Sequence, residues 1–146
     1  MKRILVCVDF SDVTDKLVQK AAQFASALDA SVTLFHVVMP EEFYPTYEAG
    51  PTPVLTDSRL AVDRAKQTIA AWRQPLEAAG ADVETRVIEG PPVRTILHEI
   101  EALDAGLVMM GTHGHGPLHN VLFGSVTEGV VRKSMVPVMV VPSRDA

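Results

Sequence analysis

Apolar positions along this chain alternate between two periods, one of strands and one of helices. Ile4, Leu5, Val6, Cys7 and Val8 run unbroken to Asp9. A strand that is apolar on both faces suits the centre of a parallel sheet covered by helices. The period then lengthens over residues 12–28, where Leu17, Ala21, Phe24, Ala25 and Leu28 share one helical face. Residues 31–38 form a second apolar strand through Val32, Leu34, Phe35, Val37 and Val38. His36 lies inside it and is expected to stay neutral, with a packing or hydrogen-bonding role. Residues 39–57 then break the pattern with Pro40, Pro45, Gly50, Pro51, Pro53 and two tyrosines. So long a stretch inside a compact domain is usually a functional lid or a disordered segment. Because it leaves the C-terminal end of a strand, it could fold over a ligand there.

A long helix is expected over residues 58–79, with Ala61, Ala65, Ile69, Trp72 and Leu76 facing the core. Pro75 should kink it or end its regular part, since proline removes a hydrogen bond and clashes with the preceding turn. Trp72 reads as a packing residue. Residues 83–88 alternate apolar and polar side chains, as a half-exposed edge strand does. Pro91-Pro92 opens a third helix through residue 103, with Val93, Ile96, Leu97, Ile100 and Leu103 on its buried face. A fourth strand follows over 104–110, a last helix over 125–133 and a last strand over 137–141.

This alternation is an α/β pattern: a doubly wound, five-stranded parallel sheet with helices on both faces, in one domain spanning 1–146. The first and fourth strands are the most uniformly apolar and belong at the centre. If they are neighbours, the strand order reverses between them, and Asp9 and Gly111 flank the crevice at that switch point. Asp9 has a plainer alternative role in capping the next helix, but Ser11 and Asp12 can supply that.

The candidate chemistry lies between the fourth strand and the last helix. Gly111-Thr112-His113-Gly114-His115-Gly116 begins where Leu107-Val108-Met109-Met110 stops, and Gly124-Ser125-Val126-Thr127 leads into the helical pattern of Val126, Val130 and Val131. Glycines let a backbone turn sharply and approach a ligand closely. A helix beginning near Ser125 offers free N–H groups and the positive end of its dipole to phosphate. An ordinary glycine loop is the plainer alternative. The placement between a buried strand and a helix favours a phosphate cradle.

Composition narrows the partners. With 146 residues, 47% hydrophobic and 21% charged, the chain has the profile of a soluble globular domain. A net charge of −5 without a basic stripe argues against nucleic acid. No apolar segment approaches membrane-spanning length, and Met1-Lys2-Arg3 does not lead into a signal peptide. Cys7 is the single cysteine, which rules out an internal disulfide and suits a reducing cytoplasm. It reads as a small core residue, not a nucleophile.

Over essentially its whole length the chain resembles the universal stress protein family. ATP-binding members of that family carry a Gly, two residues, a Gly, nine residues, a Gly and then Ser or Thr. Gly111, Gly114, Gly124 and Ser125 fit that spacing. Val8-Asp9-Phe10-Ser11, Phe35-His36-Val37, Lys133-Ser134 and Pro137-Val138-Met139-Val140-Val141 match as well. The resemblance implies a Rossmann-like adenine nucleotide-binding fold with strand order 3-2-1-4-5. It also implies that the backbones of Gly111, Gly114, Gly124 and Ser125 hold the triphosphate of ATP, with a bond from the Ser125 hydroxyl. Val126 and Thr127 would continue that contact. Asp9 would face the ribose or a metal, and Val37 would meet adenine through its backbone. Val8 and Met110, just before Asp9 and Gly111, belong to the same binding set.

One departure from the family changes the chemistry. Relatives often carry Lys or Arg inside the nine-residue interval, where this chain has only His115 and His119 as basic residues. Both are mostly uncharged at neutral pH. Phosphate charge then rests on backbone amides, the helix end and a divalent cation such as Mg2+. Asp9 could approach phosphate only through such an ion, because like charges repel. The spacing of His113, His115 and His119 matches no familiar zinc site, so His113 is expected to support the loop or donate to phosphate.

The chain has no GK[ST] P-loop, no nucleophile elbow and no carboxylate pair placed for acid–base work. Nothing positions an attacking water or an arginine finger, so no catalytic residue is assigned. The expectation is a cytoplasmic ATP-binding stress-response protein, acting as a nucleotide-dependent switch or as a module for an unidentified protein partner. The alternatives are a slow metal-dependent ATPase using Asp9, and an interaction module whose nucleotide is structural. Pro137 fits an edge strand, and Val138 to Val141 is a flat apolar edge that invites pairing. A homodimer through Pro137 to Val141 is therefore expected.

Overall fold

The computed structural model describes residues 2–40, 58–112 and 124–143. Five strands, β1 (Arg3–Cys7), β2 (Ser31–Val38), β3 (Val83–Glu89), β4 (Leu107–Gly111) and β5 (Val138–Val141), form one sheet. All neighbours are parallel, in the order β3-β2-β1-β4-β5. The strand order therefore reverses between β1 and β4, where Ile4 pairs with Leu107 and Val6 with Met109.

Alternation along the central strands feeds two cores. Ile4, Val6, Val8, Val32, Leu34, Leu107 and Met109 point to one face, and pack against Leu17, Val18, Ala21 and Ala25 of α1 (Thr14–Leu28). Ile69 of α2 (Ser58–Ala70) and Leu76 of α3 (Arg73–Ala78) complete that layer. Leu5, Phe35, Val108 and Met110 point the other way, onto Ile96 and Ile100 of α4 (Pro92–Ala102) and Val130 of α5 (Ser125–Lys133). Ile4, Leu5 and Val6 are all fully buried, and each such side chain contributes about 1.5–3 kcal/mol to folding. Burial on both sides is why these strands read as unbroken apolar runs. By contrast β3 has one free edge, and its Val83 is buried while Glu84 and Glu89 are exposed.

Several local boundaries differ from the sequence expectation, each for a physical reason. The helix expected over 58–79 is two helices separated at Ala71 and Trp72, whose amides turn back three residues to Thr68 and Ile69. Pro75 cannot donate to the Ala71 carbonyl. It sits instead in the first turn of α3, where an amide would have no partner anyway. Asp104 to Gly106 do not begin a strand. Asp104 takes the left-handed conformation, and the Ala105 amide closes α4 by bonding to the Ile100 carbonyl. Neither Ser11 nor Asp12 caps α1. The helix starts after Val13 without a side-chain cap, and the Ser11 carbonyl accepts from the Thr14 amide in the preceding turn. Leu28, assigned to the buried face of α1, is 41% exposed in the last turn. Residues 41–57 of the expected lid lie outside the described residues.

Candidate functional site

Three backbone ends meet over the switch point. Val8 and Asp9 follow β1; His36 and Val37 lie at the end of β2, with Met39 just after it; Met110 and Gly111 end β4. Together with Gly124, Ser125, Val126 and Thr127 they line a cleft of about 310 Å³. Ligand pockets for small molecules typically have about 300–1,000 Å³. Phe35, Pro92 and Ile96 make the wall on the α4 side apolar. The lining holds no Lys or Arg among the described residues.

The start of α5 supplies the donors. The first helical bond closes from the Glu128 amide to the Gly124 carbonyl, at 2.9 Å. The amides of Ser125, Val126 and Thr127 therefore have no acceptor among the described residues, and no side chain caps this helix end. Gly124 differs from these three, because its N–H donates to the Thr112 carbonyl at 2.6 Å. Thr112 is itself tied to β5, since its amide donates to the Val141 carbonyl (3.1 Å) and its hydroxyl accepts from the Ser143 amide (3.3 Å).

Gly111 is required by packing. A Cβ built on it would stand 2.5 Å from Cγ1 of Val13, a buried residue that also lines the cleft. The Thr127 hydroxyl donates to the Gly111 carbonyl at 2.8 Å, joining α5 to the end of β4.

Asp9 is exposed, and its Oδ1 accepts from the Ser11 amide at 3.0 Å. Oδ2 carries no hydrogen bond among the described residues. Beside it, His36 Nδ1 lies 2.7 Å from the Val8 carbonyl. A carbonyl only accepts, so this nitrogen carries the proton. Burial lowers the His36 pKa below its ordinary 6.5, outweighing the carbonyl and the Asp9 charge, which both raise it. The ring is therefore neutral at pH 7. Burial pushes the Cys7 thiol up to about 12, so it lines the cleft as an unreactive apolar group.

Of the residues singled out from the sequence, Val8, Asp9, Val37, Met110, Gly111, Gly124, Ser125, Val126 and Thr127 all line this one cleft. His113 and Gly114, with His115 and His119, lie outside the described residues. Sequence reading passed over Met39, Pro92, Ile96 and Val13, which also line it. Pro92 and Ile96 were visible only as a helix start and a core position. Knowing that α4 crosses to the β1–β4 side would have placed them. The stack of Phe10 on His36 and Trp72 gave no signal, although Phe10 stood in the matched Val8-Asp9-Phe10-Ser11 and Trp72 read as a packing residue.

Comparison with known proteins places this geometry in context. A model of the universal stress protein family matches residues 1–142. The universal stress protein MJ0531 of Methanocaldococcus jannaschii is 30% identical over 140 residues, covering 96% of this chain and 81% of its own length. The solved structure of MJ0577, a universal stress protein of the same organism, superposes with a TM-score of 0.80 at 28% identity. That match covers 99% of this chain and 98% of that one. A universal stress protein solved in complex with cAMP shares the fold, at TM-score 0.72 and 24% identity, over 98% of each chain.

Proposed function

The chain belongs to the universal stress protein family, and from that premise we propose that its cleft binds ATP. The observation that carries this reading is the pairing of two unlike ends in one cleft. Ser125, Val126 and Thr127 present three amides without an acceptor among the described residues, at a helix N-terminus where a polyphosphate is stabilised. Phe35, Val37, Met39, Pro92 and Ile96 offer an apolar surface suited to a flat base. A ligand that is anionic at one end and aromatic at the other satisfies both. The relative solved with cAMP is an example of such a ligand in this fold.

Asp9 would repel phosphate, so its free oxygen suits the hydroxyls of the sugar or a cation between it and the phosphates. Among the described residues no group of three His, Cys, Asp or Glu side chains could hold a metal ion. Mg2+ would therefore arrive largely coordinated by the phosphates and their waters, with at most one protein carboxylate, as Mg2+ commonly is. When bound it would neutralise the phosphate charge that no Lys or Arg of the described lining offsets.

The role we infer is that of a stress-response protein whose ligand state alters its shape or its partners in the cytoplasm. Denaturing freshly purified protein and identifying the released nucleotide tests the reading, together with calorimetric titration of ATP and Mg2+ into the emptied protein. An adenine nucleotide released, or stoichiometric binding, is expected. The absence of both release and binding would overturn the reading. Sustained ATP turnover that is abolished in Asp9→Ala would replace the switch with a slow ATPase.

A homodimer is part of the same reading. β5 ends the sheet with Val138, Met139 and Val140 only partly buried, and Met135 beside it is 93% exposed. An apolar edge of this kind is covered most simply by a second copy of itself. Sedimentation at micromolar concentration should show a dimer, and a monomer would remove this part.

A further inference from the structure

Phe10 is a bulky residue with φ of 64°, in the left-handed region that favours glycine. Such a conformation persists only where its surroundings hold it. Here two rings do so. Phe10 stacks on His36 with centroids 4.1 Å apart, and on Trp72 at 5.4 Å with planes only 7° apart. Each outer ring is itself anchored. His36 Nδ1 donates to the Val8 carbonyl, and Trp72 Nε1 donates to Asp15 Oδ1 at 2.8 Å. The middle ring is thus clamped between two fixed ones, and Asp9 is framed on both sides. The carbonyl before it is held by His36, and the residue after it is held by the stack.

We propose that Phe10, clamped between His36 and Trp72, is a positioning residue that aims the free oxygen of Asp9 at the sugar hydroxyls of the bound nucleotide. The proposal rests on the nucleotide reading above, in which Asp9 faces the sugar, and adds to it what holds that carboxylate in place. A carboxylate already held in direction accepts from vicinal hydroxyls with less loss of side-chain entropy than one that must be ordered on binding. The left-handed turn at Phe10 points the chain so that Asp9 stays at the cleft while Ser11 doubles back to its other oxygen.

The test compares ATP with 2′,3′-dideoxyadenosine triphosphate, which keeps base and phosphates but lacks both hydroxyls. Wild type should prefer ATP by at least about tenfold, the size of one hydrogen bond to a charged group. Phe10→Gly accepts the same backbone conformation without the ring. It should bind the dideoxy compound as wild type does, and its preference for ATP should shrink to within about twofold. Phe10→Tyr keeps the stack and should keep the preference. If Phe10→Gly does not fold, Trp72→Leu removes one outer ring and is read by the same ratio. A preference unchanged in the variant overturns the proposal, as does an equal loss of affinity for both compounds, which would mark the ring as a mere support. Equal binding of both compounds by wild type overturns the inference but leaves the nucleotide reading intact. Binding of neither by wild type overturns both.

Discussion

Gly111→Ala tests the close packing at the centre of the cleft. The added methyl would lie 2.5 Å from Val13 Cγ1, well inside van der Waals contact. Val13 cannot give way easily, because it is β-branched, 5% exposed and set at the start of α1. Overpacking of this kind costs about 1–3 kcal/mol. For a domain of this size that corresponds to a fall of about 2–12 °C in Tm. Val13→Ala alone removes two methyl groups from the core and should cost about 1.5 kcal/mol. In the double variant the space vacated at Val13 receives the new methyl, so the two losses should not add. Urea unfolding of all four proteins, with unchanged m-values, should give a coupling of at least about 1 kcal/mol in favour of the pair. Additivity within about 0.5 kcal/mol, or a neutral Gly111→Ala, would refute the steric account.

Three further outcomes follow from individual contacts. His36 has a folded pKa below the unfolded value, so the unfolded chain takes up protons first as pH falls through about 6.5. Stability should therefore drop between pH 7.5 and 5.5, and less steeply in His36→Asn, which keeps a donor for Val8; parallel melting curves check this. Glu99, only 3% exposed, has Arg86 Nε 3.0 Å from Oε2, without a well-aligned hydrogen bond. Arg86→Ala should destabilise by about 1–3 kcal/mol, and Glu99→Gln in that background should restore part of it, as read by urea unfolding. Thr127→Val loses the bond to the Gly111 carbonyl and should cost about 1 kcal/mol, whereas Thr127→Ser should cost less; equal melting of the two variants would contradict this.

The centre of the sheet was legible because β1 and β4 are buried on both faces, so Ile4 to Val8 and Leu107 to Met110 announce themselves without periodic breaks. Their apolar runs put them at the centre, whereas the order 3-2-1-4-5 was implied by the family resemblance, and the observed order agrees with it. The end of the β4 strand and the start of α5 were legible through Gly111, Gly124 and Ser125. The tertiary details were not. That Gly124 spends its amide on Thr112, or that Gly111 is a glycine because Val13 crowds it, depends on which segments meet in space. The same holds for Trp72. Helical spacing placed it toward the core, against which it does pack half-buried, but its stack on Phe10 depends on a segment distant in sequence. No local pattern foretells a left-handed phenylalanine.

The central claim is that main-chain amides at the start of α5 hold the phosphates. Amide-resolved NMR titration measures this directly, by following ¹⁵N-labelled protein with ATP and Mg2+ and, separately, with adenosine. Large saturating shifts at Ser125, Val126 and Thr127 with ATP, and small ones with adenosine, are the predicted result. Unmoved amides at these three positions in protein saturated with ATP would contradict it.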